Sequence, residues 1–183
     1  MKLQQFEFLE TSLDDVFIVQ KSRFEDERGI FIKTFNKNVF DKFGISSDFK
    51  ESYFSFSKKN VLRGMHFQKH PFGHAKLITV IEGEILDVCV GIGGILNKRN
   101  TGKFFSTILS KENNRSIYIP DGYAHGFLCL SETAIVMNHM TTVFNPEQDT
   151  GIHYKSFGFE WPIDNPILSD KDKKLSTFQK SII

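Results

Sequence analysis

Short segments with the composition of β-strands, separated by turn residues, recur along most of this chain. Residues 51–57 alternate strictly, with the odd-numbered side chains on one face and the even-numbered ones on the other. Residues 77–81 and 85–90 flank Glu82-Gly83-Glu84, a pattern typical of a hairpin. Further strands are predicted at 16–20, 30–35, 104–109, 116–119, 126–130 and 134–142. So many short strands predict an all-β sandwich or barrel with a mouth that holds a ligand.

Helices are predicted at two places only. Residues 36–43 have the pattern of a short helix, which the segment GISSD then ends. Residues 169–183 form a second helix, in which Ser169 and Asp172 have the spacing of a capping box. The 183 residues, 20 of them Phe, are enough for one domain with a substantial core, so we expect residues 1–183 to form a single domain.

The charge balance excludes several classes of partner. The 23 basic and 22 acidic residues leave a net charge of +1, which gives no basic surface for nucleic acid or for an anionic membrane. No apolar run approaches the length needed to cross a bilayer, and the first fifteen residues lack the apolar core of a signal peptide. Cys89 and Cys129 lie in apolar surroundings without a CxxC spacing, as expected of buried thiols in a reducing compartment. We therefore expect a cytoplasmic protein.

Residues 61–83, VLRGMHFQKHPFGHAKLITVIEG, concentrate groups that suit acid–base chemistry. Arg63 is a permanent cation, and His66 is the best candidate for a proton carrier. Lys76 opens an apolar run, which places its ammonium group at the start of a strand. A base, a donor to an oxyanion and an anion clamp within one stretch indicate an enzyme.

Three motifs coincide in order and spacing: VLRGMHFQ at 61–68, KLITVIEGEILDV at 76–88 and IPDGYAHGF at 119–127. Together they resemble the dTDP-4-dehydrorhamnose 3,5-epimerase family. DERG at 26–29, WP at 161–162 and LSDKD at 168–172 extend the resemblance over residues 16–172. The resemblance implies a cupin-type jelly roll, commonly a homodimer that shares its N-terminal strand. It also implies a cofactor-free reaction on a nucleotide-diphosphate 4-keto-deoxy sugar, with no metal.

The resemblance also assigns roles to individual residues. It implies that His66 removes a proton next to the ketone, that Asp172 orients His66, and that Lys76 stabilises the enolate. Arg28 and Arg63 match positions that hold the diphosphate. Two further residues are expected to line the sugar pocket, namely His125 and, with a weaker match, Gln68.

Strict alternation places Arg63 on the strand face opposite to His66. Both side chains enter one pocket only if the strand contains a bulge, which Gly64 permits. The family resemblance requires this bulge, and the sequence periodicity alone does not predict it.

The chain departs from the family at the position of its acid, a tyrosine. An ungapped match places Asn138 there, whereas a gap of one residue places His139 there, and the two point to opposite faces. We adopt Asn138, which implies inversion at C3 alone, another proton donor, or a related reaction such as keto-isomerisation.

Three more positions concern the nucleotide. Phe144 replaces a tyrosine that stacks on the base, and it retains an aromatic face. Lys33 and Glu51 replace a glutamate and a glutamine, which changes the charges offered to the base. These changes lead to the hypothesis that the base is cytosine or guanine rather than thymine, with a surface ion pair as the alternative.

Two other functions remain open from the sequence. A metal-dependent cupin needs several converging ligands, and His66, His70 and His74 are spaced by four residues. However, Pro71-Phe72-Gly73 interrupts the strand between them. A sugar-nucleotide-binding protein without turnover is the second alternative, which the missing tyrosine favours and the intact His66 opposes.

Overall fold

The computed structural model describes residues 2–3, 5–93 and 98–181. Within those residues the chain forms fourteen strands and three short α-helices. The strands are β1 Lys2–Leu3, β2 Phe6–Glu10, β3 Phe17–Lys21, β4 Arg23–Asp26, β5 Gly29–Ile32, β6 Glu51–Lys58, β7 Leu62–Gln68, β8 Lys76–Glu82, β9 Glu84–Gly91, β10 Phe104–Ser110, β11 Arg115–Ile119, β12 Tyr123–Cys129, β13 Thr133–Met140 and β14 Asp149–Gly151. The helices are α1 Lys37–Phe43, α2 Asp170–Lys173 and α3 Phe178–Ser181.

Two antiparallel sheets face each other. The larger has the strand order β1-β2-β3-β11-β8-β13-β6, and the smaller has the order β10-β9-β12-β7-β14. Side chains from both sheets form the core between them, for example Ile78, Ile117 and Val136 from one sheet and Ile85 and Phe127 from the other. This arrangement confirms the predicted all-β jelly roll.

Helix α1 confirms the prediction for residues 36–43. The side chain of Asn36 caps its N-terminus by accepting the N–H of Val39, and Gly44 ends it in the left-handed conformation. Phe40 is fully buried against Phe6 and Phe8 on the outer side of the larger sheet. A second apolar layer therefore covers that sheet, which explains why strand β8 is buried on both faces along most of its length.

The hairpin predicted at Gly83 is wrong. Strand β8 belongs to the larger sheet and β9 to the smaller one, so the chain crosses from one sheet to the other at Gly83. Gly83 has φ +79°, and a Cβ there would lie 2.1 Å from the carbonyl oxygen of Thr133. A short Gly-containing link suits both a hairpin and such a corner, and only the choice of strand partners distinguishes them.

The short C-terminal helix is present, but the prediction that it is continuous over 169–183 is wrong. Its beginning is correct, because the Ser169 hydroxyl accepts the N–H of Asp172 at 3.1 Å. After α2, however, the carbonyl of Ser176 accepts the N–H of His153 at 2.7 Å, and this pairing separates α2 from α3. Residues 182–183 lie outside the described residues. In the part of the chain that is described, no helix is both long and apolar enough to cross a membrane.

Candidate active site

A cavity of about 660 Å³ opens between the two sheets at one end of the sandwich. Its volume lies in the range of pockets that hold small molecules and cofactors. Side chains from both sheets, from α2 and from the segments next to these elements form its walls. They include Glu51, Tyr53, Arg63, His66, Gln68, His74, Lys76, His125, Asn138, Phe144, Asp149, Ser169 and Asp172.

His66 and Asp172 form a hydrogen-bonded pair on the cavity wall. Nε2 of His66 lies 2.6 Å from Oδ1 of Asp172. His66 stands on β7 with a third of its side chain exposed, whereas Asp172 stands on α2 and is buried. Because a carboxylate accepts, Nε2–H of His66 is the donor, and Nδ1 retains a free lone pair.

Asp172 is held as a carboxylate. Burial alone would raise its pKa, but the hydrogen bond from His66 and the contacts from the Gly64 N–H and Ser169 together lower the pKa below its usual value. Oδ2 of Asp172 lies 3.4 Å from the backbone N of Gly64. The carboxylate therefore fixes both the tautomer and the position of His66.

The bulge predicted at Gly64 is present. Between the aligned pairs His66–His125 and Arg63–Phe127, strand β7 has one residue more than β12. Gly64 has φ +130°, and a Cβ there would lie 2.5 Å from the Cα of Gly126. The extra residue turns both Arg63 and His66 toward the cavity.

Lys76 brings a buried amine to the cavity wall. Its side chain is 4% exposed, and Nζ lies 3.3 Å from the carbonyl oxygen of His66. Burial lowers its pKa to about 8, against the opposing effect of Asp121 and other acidic groups. At neutral pH the amine remains mostly protonated, so it supplies positive charge next to His66.

His125 belongs to a second histidine–carboxylate pair. Its Nε2 lies 2.8 Å from Oδ2 of Asp87, a fully buried residue on β9. The other oxygen of Asp87 has no hydrogen-bond partner among the described residues. Asp87 was not among the residues predicted from the sequence, where its one signal is a carboxylate within the apolar strand ILDVCV.

Gln68 lines the cavity, but its amide is largely occupied by the protein. Its Nε2 donates to the carbonyl of Phe72 at 2.9 Å and lies 3.2 Å from Nδ1 of His74, while its Oε1 accepts the N–H of Asn145 at 2.6 Å. Burial, followed by the charge of Lys76, lowers the pKa of His74 to about 3, so that imidazole is neutral. Nε2 of His74 is buried without a partner among the described residues.

Asn138 faces the cavity and His139 does not. Asn138 is buried and lines the cavity wall. The ring of His139 packs instead near Phe35 and Phe49, on the outer side of the sheet. The geometry therefore agrees with the ungapped match, which places Asn138 in the pocket.

Glu51 and Phe144 lie together at the rim of the cavity. Oε2 of Glu51 accepts the backbone N–H of Phe144 at 2.6 Å, and the Phe144 ring is 55% exposed. Arg63 also stands at the mouth, where Nε donates to the Ser57 hydroxyl and an Nη donates to the carbonyl of Phe56, both at 3.0 Å. These bonds leave part of the guanidinium available to an anion.

Arg28 and Lys33 do not reach the cavity of their own chain. Arg28 stands in the turn of the β4–β5 hairpin with 85% of its side chain exposed, and its guanidinium pairs with Asp26. Lys33, just after β5, is partly buried and does not line the cavity. The hairpin belongs to neither large sheet.

The histidines do not form a metal site within the described residues. No group of three or more His, Cys, Asp or Glu side chains there has the arrangement of metal ligands. His70 is exposed and lies away from the cavity that His66 and His74 line.

A two-sheet sandwich that opens at one end onto paired acid–base groups is the architecture of cupin-type enzymes, and this chain falls in that class. Sequence comparison then narrows the class. The family model of dTDP-4-dehydrorhamnose 3,5-epimerase matches residues 10–180, and the chain belongs to that family.

Individual relatives agree over nearly the whole chain. A dTDP-4-dehydrorhamnose 3,5-epimerase from Methanothermobacter thermautotrophicus is 41% identical over 177 residues, which cover 93% of this chain and 94% of the relative. The crystal structure of the Elizabethkingia anophelis enzyme superposes with a TM-score of 0.90 at 32% identity, covering 98% of this chain and all of the other. An epimerase from Legionella pneumophila in complex with dTDP-4-keto-L-rhamnose gives a TM-score of 0.88 at 35% identity, with 95% and 93% covered.

Proposed function

We propose that this chain is an isomerase that epimerises a nucleotide-diphosphate 4-keto-6-deoxy sugar at C3, with C5 as a second centre. The observation that carries the proposal is the His66–Asp172 pair beside the buried ammonium of Lys76. The relatives named above support it, because they are dTDP-4-dehydrorhamnose 3,5-epimerases or epimerases of the same kind, and one of them is in complex with a 4-keto sugar nucleotide.

The chemistry follows from the ketone. A 4-keto group acidifies the hydrogens on C3 and C5, and the free Nδ1 of His66 removes one of them. Negative charge then develops on the ketone oxygen, where the ammonium of Lys76 stabilises it. Asp172 remains ionised and balances the imidazolium that forms. A second group returns a proton to the opposite face, and the net result is inversion without a cofactor.

We propose that Arg63 of this chain binds the diphosphate. It stands at the cavity mouth, and its two hydrogen bonds to Ser57 and Phe56 hold the guanidinium plane. A planar fork held in this way suits phosphate oxygens. The pyrophosphate would then lie at the mouth, with the sugar directed inward toward His66.

We further propose that Arg28 reaches the site of a second copy in a homodimer. The hairpin that carries it exposes apolar side chains, among them Phe24 and Phe31. Edge strand β6, beside Arg63, exposes Phe54 and Phe56 on its outer face. Apolar surfaces of this kind are typical of interfaces. A partner's hairpin on β6 would bring Arg28 to the diphosphate.

The nucleotide base is proposed to stack on Phe144 at the rim. One carboxylate oxygen of Glu51 accepts the backbone N–H of Phe144, and the other can accept a hydrogen bond from an exocyclic amine. Cytosine and guanine carry such an amine and thymine does not. The relatives' names specify dTDP, so competition among dTDP, CDP and GDP for one site decides this point.

Proton NMR in D2O tests the function. The protein is incubated with dTDP-, CDP- and GDP-linked 4-keto-6-deoxy sugars, and the signals at C3 and C5 are followed. Loss at C3, alone or with C5, is expected with at least one of them. No loss with any of the three would contradict the proposal and would favour a binding protein or another substrate.

We also propose a cytoplasmic location. Both cysteines are free and buried, as expected in a reducing compartment.

A further inference from the structure

Tyr53 and Asn138 are direct partners across two neighbouring strands. Tyr53 on β6 pairs in register with Asn138 on β13, and both side chains line the cavity. Residues opposite each other on an antiparallel pair have Cβ atoms about 5 Å apart and lie on the same face. A phenol on Tyr53 therefore stands beside the position where the family resemblance places its acid tyrosine.

We propose that Tyr53 is the catalytic proton donor of this enzyme. It stands on β6, next to the position on β13 where the family resemblance places the acid and where this chain has Asn138. The proposal rests on the epimerase function proposed above and adds to it the residue that delivers the second proton.

The placement of the two sheets supports this role. His66 stands on β7 in the smaller sheet, whereas Tyr53 stands on β6 in the larger one, and the cavity lies between them. Inversion requires that one proton leaves from one face of the sugar ring and another arrives on the opposite face. A base and an acid on opposite walls of the cavity provide that arrangement.

No other tyrosine of the chain is placed to act. All four tyrosines lie in the described residues, and Tyr53 alone lines the cavity. Tyr118, Tyr123 and Tyr154 are buried in apolar clusters. Within the described part of the chain, the Tyr53 hydroxyl forms no hydrogen bond to another protein group, so it is free to bind a substrate.

The surroundings of Tyr53 keep its phenol protonated. Desolvation, followed by the charges of Glu51 and Asp149, raises its pKa, and Arg63 opposes them with a smaller effect. A protonated phenol can act as an acid toward the enolate carbon. The O–H bond breaks as the new C–H bond forms, and solvent then reprotonates the phenolate while His66 returns its proton to solvent.

The variant Tyr53→Phe separates this role from a structural one, because it removes a single oxygen and retains the ring. The enolate still forms, so hydrogen exchange at C3 in D2O should continue. Without the acid the enolate is reprotonated on the side of His66, so formation of the inverted product should fall by about 100-fold or more. The control Tyr154→Phe removes a phenol outside the cavity and should change neither rate.

Exchanging the two residues gives a second test. The double variant Tyr53→Asn with Asn138→Tyr returns the phenol to β13 at nearly unchanged volume, and it should recover inversion relative to Tyr53→Asn alone. Inversion by Tyr53→Phe at the wild-type rate would overturn the assignment while the epimerase function stands. A wild-type protein that exchanges no hydrogen of any 4-keto sugar would overturn both.

Discussion

Nε2 of His66 lies 2.6 Å from Oδ1 of Asp172, although 106 positions separate the two residues in the chain. The contact joins strand β7 of the smaller sheet to the short helix α2. It depends on the Ser169 cap, which starts α2 at the point where its third residue faces β7. The helix is therefore part of the acid–base apparatus that we propose.

Replacing Asp172 with Asn should slow proton abstraction without unfolding the protein. The backbone N–H of residue 172 still donates to Ser169, but the amide carries no charge to stabilise the imidazolium of His66. We expect the rate of exchange at C3 to fall on the order of 10²-fold. Ser169→Ala is the matched control for the cap, since it should reduce the free energy of unfolding by about 1 kcal/mol. A D172N variant that exchanges at the wild-type rate would refute the role of the carboxylate.

The rate of exchange should fall as the pH rises through about 8, because the pKa of Lys76 is lowered to that value. The ammonium stabilises the enolate and the neutral amine does not. The measurement is kcat/KM against pH, which reports groups of the free enzyme. Lys76→Met should be inactive at every pH. If kcat/KM of the wild-type enzyme did not fall between pH 7 and pH 9, the assignment of Lys76 would be excluded.

The lowered pKa of Lys76 also leads to a prediction of how the stability of the protein depends on pH. Between about 8 and the unfolded value near 10.5, the unfolded chain binds a proton that the folded chain lacks, so stability should rise with pH in that window. Below about pH 8, Lys76 is charged in both states, and burial of that charge lowers the free energy of unfolding. Lys76→Met at pH 7 should therefore unfold at a higher temperature than wild type, and a lower Tm would argue against that cost.

Gly64→Ala should damage both the fold and the site. The new Cβ would lie 2.5 Å from the Cα of Gly126, and the backbone angle of +130° disfavours any L side chain. We expect a loss of several kcal/mol in the free energy of unfolding. Gly158→Ala is the control, because it has φ +83° but no atom within 4 Å of its Cβ. Similar losses for the two variants would mean that backbone strain, rather than the approach of β7 to β12, sets the requirement.

Mixing two inactive variants tests whether Arg28 acts across a dimer. Arg28→Ala and His66→Asn each damage every site of their own homodimer. If Arg28 is supplied by the partner, a mixed dimer has one complete site, and random pairing gives about a quarter of the wild-type activity. Activity no higher than the sum of the separate variants would place Arg28 in its own subunit or outside the reaction.

The features that were predicted best from the sequence are those that depend on short stretches of the chain. Arg63 and His66 lie on β7 and Lys76 begins β8, as predicted, and Gly64 permits the bulge that the family resemblance required. The number of short strands predicted an all-β sandwich or barrel, and the family resemblance implied the jelly roll. The capping residue Ser169 also identified where α2 begins.

What the sequence could not predict depends on contacts between distant strands. The link at Gly83 suits a hairpin turn and a corner between two sheets equally well, so the sequence cannot distinguish them. The covering of β8 by α1 likewise depends on tertiary packing. The break after α2 arises from the pairing of Ser176 with the segment after β14. Tyr53 and Asp87 acquire their significance only when β6 meets β13 and β9 meets β12.

The most direct test of the account compares His66→Asn with His70→Asn in D2O, using the 4-keto sugar nucleotide that the wild-type protein turns over. His70 is exposed and outside the cavity, so its variant should exchange hydrogen at C3 at the wild-type rate. His66→Asn should bind the nucleotide nearly as tightly as wild type and exchange no hydrogen at C3. Exchange by His66→Asn at the wild-type rate would contradict the assignment of the base, and with it the mechanism built on the His66–Asp172 pair.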